Sequence, residues 1–455
     1  RLARLWQAVL DRHDLLRARL ERPDAVDQDW ILRVGPVGSA TAEPCITPVD
    51  ATGWDEEDLR RVIEVEEASA VGRLVLQDGV TTQLVWFDRG PGRPGWLLIM
   101  IHHLVVDGVS WRILLEDLAL GWAQLAAGQT PGLEPPATSF RRWAQLWTAQ
   151  AQDPARVGEL PVWTQIVGDG DPLLGRRPLD WSRDTWGTYR EVTSVLPGSA
   201  EPLLTSVPAT FHAGVDDVLL TALALAIAHW RRRRGQLDQH AVLVDLEGHG
   251  RQEHLVAGVD LSRTVGWFTS IFPVRLDVSG VDLAEALTGG RAAGQALKNV
   301  KEQLRVPPDH GLGFGLLRYL NAQTATTLAG LPASQIIFNY LGRFAVSGST
   351  DWAMVPDCGL GGGTSPELPM SHSLHINAWT EDQPGGPALH ASWSWPGELF
   401  SEEAVRELAQ SWFQALESIA AHAATPHASG HTPSDMALVS VSQDDIDEVE
   451  AEWAT

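Results

Sequence analysis

The residues most suited to chemistry stand in the stretch Ile101 to Trp111, which reads I-H-H-L-V-V-D-G-V-S-W. His102 and His103 carry imidazoles, which gain and lose protons near neutral pH, and Asp107 follows a few positions later. A second candidate is Glu247, which begins the run E-G-H-G-R. An imidazole and a carboxylate can act together as a general acid and a general base. Two other interpretations stay open here: a histidine pair can form half of a metal site, and a glutamate beside glycines can belong to a surface turn.

Apolar runs predict the elements that position these groups. Trp96 to Ile101 is an unbroken apolar run, as expected of a strand buried on both faces, and it ends at the two histidines. Asp107-Gly108 predicts a turn, and the apolar positions from Trp111 to Leu125 recur with helical spacing. We predict Ser110 as the N-cap of this helix and Gly128 as its stop. The histidines and the aspartate are therefore expected at a strand-to-helix corner.

Similar runs predict the strands that carry the other candidates. Ala241 to Leu246 predicts a buried strand that ends at Glu247, and Ile336 to Phe338 predicts one that leads into Asn339 and Tyr340. The segment Thr81 to Phe87 is predicted to form a hairpin with the strand that delivers the histidines.

Helices are predicted at Val215 to Trp230, at Leu283 to Val300, and at Glu402 to Ala421 with Ser401 as N-cap. The first of these ends in four arginines, Arg231 to Arg234. We favour a solvated helix terminus, which cations stabilise, over a phosphate-binding site.

Length, charge and cysteine content limit the number of domains, the partners and the cellular setting that the chain can have. A chain of 455 residues is too long for one compact core and suggests two or three domains. Its formal charge of −24 argues against nucleic acid or an anionic membrane as the main partner. The two cysteines, Cys45 and Cys358, lack the spacing of a metal site and favour a reduced, cytoplasmic setting. We find no apolar run long enough to cross a bilayer, and we expect no signal peptide.

The spacing H-H-x-x-x-D-G after a buried strand resembles the core motif of the condensation-domain superfamily of nonribosomal peptide synthetases. The longer stretch H-H-L-V-V-D-G-V-S-W-R-I-L-L-E-D-L is most similar to the epimerization branch of that superfamily. E-G-H-G-R resembles the branch's E-G-H-G-R-E signature, with Gln252 in place of the final glutamate.

Further motifs extend this resemblance over nearly the whole chain. They are H-D-L-L-R-A-R-L from His13, with Leu20 where phenylalanine is usual, R-T-V-G-W-F-T from Arg263, G-L-G-F-G-L-L-R-Y from Gly311, with Phe314 where the branch has tyrosine, and F-N-Y-L-G from Phe338.

The resemblance implies an α/β fold of two chloramphenicol-acetyltransferase-like lobes, which form a V-shaped pseudodimer with an active-site tunnel at their interface. We place the N-terminal lobe at residues 1–160, the C-terminal lobe at 161–430, and a tail or linker at 431–455. The superfamily has an earlier helix-and-strand segment, so the N-terminus is expected to be trimmed. No metal or cofactor is implied. The substrate is expected on the 4'-phosphopantetheine arm of a peptidyl carrier protein, upstream in a synthetase whose neighbouring domains are further partners.

The resemblance also implies the reaction and its residues. The chain is expected to convert an L-aminoacyl or peptidyl thioester to an L/D mixture, by removing the Cα proton and returning one on the opposite face. His103 and Glu247 are assigned as the acid/base pair, facing each other across the lobe interface, and Tyr340 is assigned to the catalytic groups. Asn339, His102 and Trp111 are expected to orient the substrate, with His102 packed behind its neighbour. Asp107 is expected to form a structural salt bridge with Arg17, beside the turn residue Gly108; the alternative is that Asp107 only caps the next helix.

Other functions remain possible at this point. A condensation domain of the same superfamily would share His103 and Asp107 but would have no use for Glu247. A catalytically inactive module that docks a carrier protein is a second alternative, and an acetyltransferase that uses free coenzyme A is a third. The motifs leave open which residue is epimerized, whether the substrate is aminoacyl or peptidyl, and which member of the pair deprotonates the L form.

Overall fold

The computed structural model describes residues 1–23, 29–344, 352, 355, 364–426, 428, 430–436, 438–439 and 441–453. The chain divides into two compact units. Unit 1 is Arg1–Trp147, His249–Thr269 and Ser347–Thr364, and unit 2 is Thr148–Gly248, Ser270–Val346 and Ser365–Thr455. The lobes predicted from the sequence meet at a single boundary, between residues 160 and 161. The compact units instead alternate along the chain, and one change of unit falls inside E-G-H-G-R.

The described residues of unit 1 form two small sheets, three helices and most of a fourth. Its elements are α1 (Leu2–Arg12), β1 (Ala18–Glu21), β2 (Ile31–Val34), β3 (Ile46–Asp50), α2 (Glu56–Gly72), β4 (Thr82–Asp88), β5 (Trp96–Ile101), α3 (Gly108–Ala126) and α4 (Phe140–Gln150). Strands β1 and β2 are an antiparallel pair, and β3, β4 and β5 form a three-stranded sheet in that order. The predicted hairpin is confirmed, because β4 and β5 pair antiparallel.

Helix α3 begins earlier than its predicted cap. Its N-cap is Asp107, whose side chain accepts a hydrogen bond from the backbone N–H of Ser110. The prediction of Ser110 as N-cap is wrong, because the aspartate three positions before it already supplies the acceptor and Ser110 lies in the first turn. The helix stops as predicted, with Gly128 in the left-handed region at a φ of 76°.

Unit 2 is organised around one six-stranded sheet. Its elements are α5 (Pro154–Val157), α6 (Leu160–Val167), β6 (Tyr189–Val195), α7 (Glu201–Leu204), α8 (Ser206–Phe211), α9 (Val215–Arg233), β7 (Ala241–Gly248), β8 (Ser270–Asp277), α10 (Leu283–Ala286), α11 (Arg291–Gln303), α12 (Leu312–Gly315), α13 (Ala325–Ala329), β9 (Ile336–Phe344), β10 (Leu374–Gln383), β11 (Gly386–Pro396), α14 (Glu402–Ala423) and α15 (Gln443–Trp453). The strand order is β6-β11-β10-β9-β7-β8. Strand β9 runs parallel to β7 and β10, and the other pairs are antiparallel.

The core of unit 2 lies between one face of this sheet and helices α9, α11 and α14. Helix α9 is buried almost throughout, as its apolar sequence predicts. Helix α14 begins at the predicted cap, where the Ser401 side chain accepts from the N–H of Ala404. The predicted helix Leu283 to Val300 is two helices, α10 and α11, because Gly289 adopts a φ of 79° between them.

Ion pairs lie near the C-terminal ends of two helices of unit 2, α9 and α11. Three of the four arginines at the C-terminal end of α9 are paired: Arg231 with Asp171 at 3.1 Å, and Arg233 and Arg234 with Glu407 at 2.7 Å each. Arg233 and Arg234 are exposed, as predicted for a solvated helix terminus, but the prediction is wrong for Arg231, which is fully buried in its ion pair. On α11, Lys301 is 1% exposed and reaches Asp435 at 2.6 Å, so the start of the predicted tail packs against unit 2.

Among the described residues, no single helix is long and apolar enough to cross a membrane, although the segments Glu201–Phe211 and Val215–Arg233, bent by 99°, together meet the length and composition criteria. Cys45 is a free thiol, and Cys358 lies outside the described residues.

Candidate active site

His102 lies at the end of β5 and is held by the backbone. Its N–H donates to the carbonyl of Thr81 at 2.9 Å, and its Nδ1 accepts from the N–H of Leu104 at 3.1 Å. Burial lowers the pKa of His102, and the neighbouring His103 lowers it further. These contacts favour a neutral imidazole that caps the short turn His103–Val105.

His103 is the accessible imidazole of the corner. Its side chain is exposed, and its ring lies 4.7 Å from that of Trp267, centroid to centroid, at an angle of 54°. Trp267 comes from R-T-V-G-W-F-T and is also partly exposed, at 44%. The ring is therefore supported on one side while its nitrogens remain available. Sequence reasoning did not assign Trp267 to the site.

Asp107 is buried and pairs with Arg251, not with Arg17. Arg251 Nη2 donates to both carboxylate oxygens, at 3.1 and 3.3 Å, and the side chains are 8% and 3% exposed. The N–H of Phe268 donates to Oδ2 at 3.2 Å, and Ser110 donates to Oδ1 through both its N–H and its hydroxyl, at 2.7 Å each. Both carboxylate oxygens accept hydrogen bonds from buried donors, which fits the structural role predicted for Asp107. Asp107 also caps α3, but the alternative that it only caps this helix is wrong, because it pairs with Arg251.

The predicted Asp107–Arg17 salt bridge is wrong because the arginine is taken up by backbone carbonyls. Arg17 donates to the carbonyls of Leu10, Asp11, His13 and Gly35. Leu10 and Asp11 lie in the last turn of α1 and His13 is its C-cap, and the last carbonyls of a helix have no partner within it. The sequence did contain the true partner, Arg251 of E-G-H-G-R, to which the sequence analysis had given no role.

A second buried carboxylate joins further motifs within unit 1. Asp117 of α3 accepts from His13 Nε2 at 2.8 Å and from Arg263 Nη2. His13 opens H-D-L-L-R and Arg263 opens R-T-V-G-W-F-T. Motifs far apart in the sequence thus meet on one helix. The other two predicted residues of the corner lie on the same helix: Gly108 is its exposed first residue, and Trp111 is half-buried against the core of unit 1.

In unit 2, Glu247 and Asn339 are brought together. Strand β7 continues through Gly248, so Glu247 lies within the strand rather than just after it. Asn339 Nδ2 donates to Glu247 Oε2 at 2.7 Å, and both side chains are half-buried. An amide donor holds one carboxylate oxygen in a fixed position. A carboxylate held in this way can act as a general acid or a general base.

Tyr340 lies on the opposite face of the sheet from Asn339. Successive side chains of a strand alternate, so Tyr340 shares a face with the buried Phe338 and packs against the core of unit 2. Its hydroxyl forms a hydrogen bond with Thr380 Oγ1 at 3.0 Å. Burial raises the pKa of the Tyr340 hydroxyl, so it stays protonated over a wide pH range. The catalytic assignment of Tyr340 stays a prediction.

Two histidines that sequence reasoning passed over lie beside Glu247's strand. His372 forms a hydrogen bond with Asp245 at 3.0 Å through Nε2 and with Ser371 Oγ at 2.8 Å through Nδ1. His375 lies next to them, and burial lowers its pKa to about 3. Their signal was the run S-H-S-L-H from Ser371. No group of three or more His, Cys, Asp or Glu side chains within the described residues is placed to hold a metal ion.

Comparison with known proteins gives a consistent result. A family model described as Condensation domain matches residues 1–437. The chain is 35% identical over 458 residues to a subunit of the linear gramicidin synthase of Brevibacillus parabrevis. This match covers 98% of the chain but only 6% of that much longer protein.

Two solved structures are similar in fold. The epimerization domain from the third module of tyrocidine synthetase B has a TM-score of 0.78 and 28% identity, with 92% of this chain and 88% of that one covered. The first condensation domain of the CDA synthetase has a TM-score of 0.63 and 18% identity, with 93% and 88% covered. The predicted α/β fold is confirmed by these likenesses.

Proposed function

Because this chain belongs to the condensation-domain family of nonribosomal peptide synthetases, we propose that it epimerizes the L-aminoacyl or peptidyl residue held as a thioester on a carrier protein. The observation that carries the proposal is the hydrogen bond from Asn339 to Glu247. A condensation reaction has no use for a positioned carboxylate at this place, whereas an epimerization needs a second proton-transfer group besides a histidine. The 28% identity to a solved epimerization domain supports the same choice.

In the proposed mechanism, His103 and Glu247 are the two proton-transfer groups. One removes the Cα proton of the thioester, and the other returns a proton to the opposite face of the planar enolate. Interconversion runs in both directions, so the two groups exchange roles between the L and D forms. Asn339 positions the Glu247 carboxylate through its hydrogen bond to Oε2. Trp267 supports the His103 ring and limits its orientation.

The partner is a peptidyl carrier protein that delivers the substrate on its phosphopantetheine arm. The arm belongs to the carrier, so this chain needs no resident cofactor for the step. Because the chain spans only 6% of the gramicidin synthase protein that it matches, we further propose that it works within a larger, cytoplasmic synthetase beside other domains.

The proposal is tested with a carrier protein loaded with L-Phe, L-Leu or L-Val as the thioester, in D₂O. Cα deuterium uptake and the D/L ratio are followed after release of the amino acid. We expect both to rise with the native chain. His103→Ala and Glu247→Gln should each slow uptake by about 10²–10⁴-fold, the usual worth of general acid/base catalysis.

Matched controls are His254→Ala and Glu403→Gln, exposed residues of the same types at other places. They should leave the rate of deuterium uptake unchanged.

A second carrier loaded with glycine tests the rival reaction, condensation. Formation of a dipeptide without deuterium uptake would identify a condensation domain and overturn the proposal.

A further inference from the structure

One face of the six-stranded sheet carries a line of polar side chains that starts at Glu247. Asn339 follows on β9, and the strand registers align Asn339 with Asn377, Asn377 with Ser392, and Ser392 with Thr193. Aligned residues of neighbouring strands lie side by side on the same face. We call these five residues the polar row. It crosses β7, β9, β10, β11 and β6, five neighbouring strands.

The polar row lies on the face away from the helices. The residues just before its members belong to, or pack against, the core of unit 2, and they are Leu246, Phe338, Ile376, Ala391 and Val192. Because side chains alternate along a strand, the row points the other way. Thr193 is exposed and the other four members are half-buried, so all are accessible.

Three members of the row make no side-chain hydrogen bond to any other residue that the structure describes. These three members are Asn377, Ser392 and Thr193. The adjacent line of the same face differs, because Ser394 donates to Glu191 at 2.7 Å and His372 bonds to Asp245 at 3.0 Å. Unused donors and acceptors are therefore concentrated in the polar row.

An aromatic pair borders the polar row on its other side. Trp379 and His390 are paired across β10 and β11, and their rings stack at 5.2 Å with an angle of 12°. A ligand along the row would thus have hydrogen-bonding groups beneath it and a flat apolar surface beside it.

The chemistry of the row selects a particular class of ligand. Asn, Ser and Thr side chains both donate and accept hydrogen bonds. The row contains no lysine or arginine, so it offers no positive charge to pair with a phosphate or a carboxylate. Amide groups, which also donate and accept, are the natural complement. Four strand spacings of about 4.8 Å give a length of about 19 Å, which an extended peptide covers with about six residues.

We propose that the polar row binds the main chain of a peptidyl thioester, so that the substrate class is peptidyl rather than single aminoacyl. This rests on the proposed function, since the row begins at the group assigned to proton transfer. The residue to be epimerized lies at Glu247, and the earlier residues of the peptide extend across Asn377, Ser392 and Thr193. The phosphopantetheine arm also contains amides and is the competing occupant.

The test compares two substrates that share one arm. One carrier protein is loaded with L-Phe, and the other with a pentapeptide, Ala-Ala-Ala-Ala-L-Phe, both as thioesters. Cα deuterium uptake should show a higher kcat/KM for the pentapeptide. In Asn377→Ala, Ser392→Ala and Thr193→Val, the ratio of pentapeptide to L-Phe kcat/KM should fall by about twofold to tenfold, the worth of one neutral hydrogen bond. Ser194→Ala, on the opposite face of β6, is the matched control and should leave the ratio unchanged.

Binding separates failure of this inference from failure of the proposed function. Carriers with amide-linked, non-cleavable L-Phe or pentapeptide are titrated against the chain by fluorescence anisotropy. If no substrate exchanges deuterium but the pentapeptide carrier binds more tightly and depends on Ser392 and Thr193, the epimerization proposal fails and the row stands. The inference would be overturned if the two carriers bound with equal affinity, or if the variants weakened binding of both carriers equally. Either result would show that the polar row binds the phosphopantetheine arm.

Discussion

Arg251 and Asp107 form one buried ion pair within unit 1, with Arg251 Nη2 at 3.1 Å from Asp107 Oδ1. The pair links the arginine of E-G-H-G-R to the aspartate of H-H-x-x-x-D-G. Since the same carboxylate caps α3, it holds the turn that carries His103.

We expect Asp107→Ala and Arg251→Ala each to lower the free energy of unfolding by about 3–5 kcal/mol, because each leaves a buried charge without its partner. The double variant should lose less than the sum of the two. Urea unfolding at pH 7.5 measures all three. Asp55→Ala is the matched control, since the exposed Asp55 caps α2 through Asp58 and should cost only about 1 kcal/mol. An Asp107→Ala loss no larger than the Asp55→Ala loss would contradict the importance of the ion pair.

Tyr340→Phe tests whether the tyrosine is catalytic. Its hydroxyl bonds to Thr380, which is fully buried, so removing it should cost about 1–3 kcal/mol of stability. We expect deuterium uptake to change by less than about tenfold. Asn339→Ala should slow uptake more, by about 10–100-fold, because a charged Glu247 loses its donor. If Tyr340→Phe stays folded but loses 100-fold or more in rate, the tyrosine is catalytic, as the family resemblance implies.

His375 predicts a dependence of stability on pH. Burial lowers its pKa from 6.5 to about 3, so between these values the unfolded chain binds a proton that the folded chain does not. Stability should therefore fall as pH drops from about 6.5 towards 3. His375→Gln should reduce this decline, and the neighbouring His372 and Asp245 are retained in that variant. Unfolding at pH 7.5, 6.0 and 5.0 checks it, with the exposed His254→Gln as control. Parallel curves for the native and His375→Gln chains would contradict the prediction.

Two glycines of G-L-G-F-G-L-L-R-Y should respond oppositely to alanine. Gly311 has a φ of 84°, and a Cβ there would lie 2.0 Å from the Phe272 ring. Gly315 is helical, at a φ of −62°, with nothing within 4 Å of a Cβ. Gly311→Ala should lose about 2–5 kcal/mol, from left-handed strain and overpacking. Gly315→Ala should be neutral or gain up to about 1 kcal/mol. Equal melting temperatures for the two variants would show that the Phe272 side chain moves aside at no cost.

Local patterns predicted the elements better than the contacts between them. The hairpin of β4 and β5, the buried helix α9 and the Ser401 cap of α14 depend on residues close together in sequence, and each is found. The strand ends at His102 and near Glu247 follow from apolar runs for the same reason.

Contacts between distant segments were predicted less well. The family resemblance paired Asp107 with Arg17, and nothing in local periodicity showed that Arg17 is taken up by the end of α1. The hydrogen bond from Asn339 to Glu247 required the register of β7 and β9, which are separated by the 87 residues between Gly248 and Ile336. The polar row needed four such registers at once, so no single stretch of sequence reveals it.

The alternation of the two units has a consequence for the exchange of parts between synthetases. A cut anywhere between Thr148 and Gly248 yields an N-terminal fragment without Arg251, Gly266 and Phe268. That fragment would keep His103 but lose the cation that pairs with Asp107. Half-domain chimeras joined in this region therefore carry an Asp107 from one parent and an Arg251 from the other. A chimera can instead take residues 249–269 from the same parent as its N-terminal half, so that Asp107 and Arg251 come from one protein. We expect chimeras of this second kind to fold.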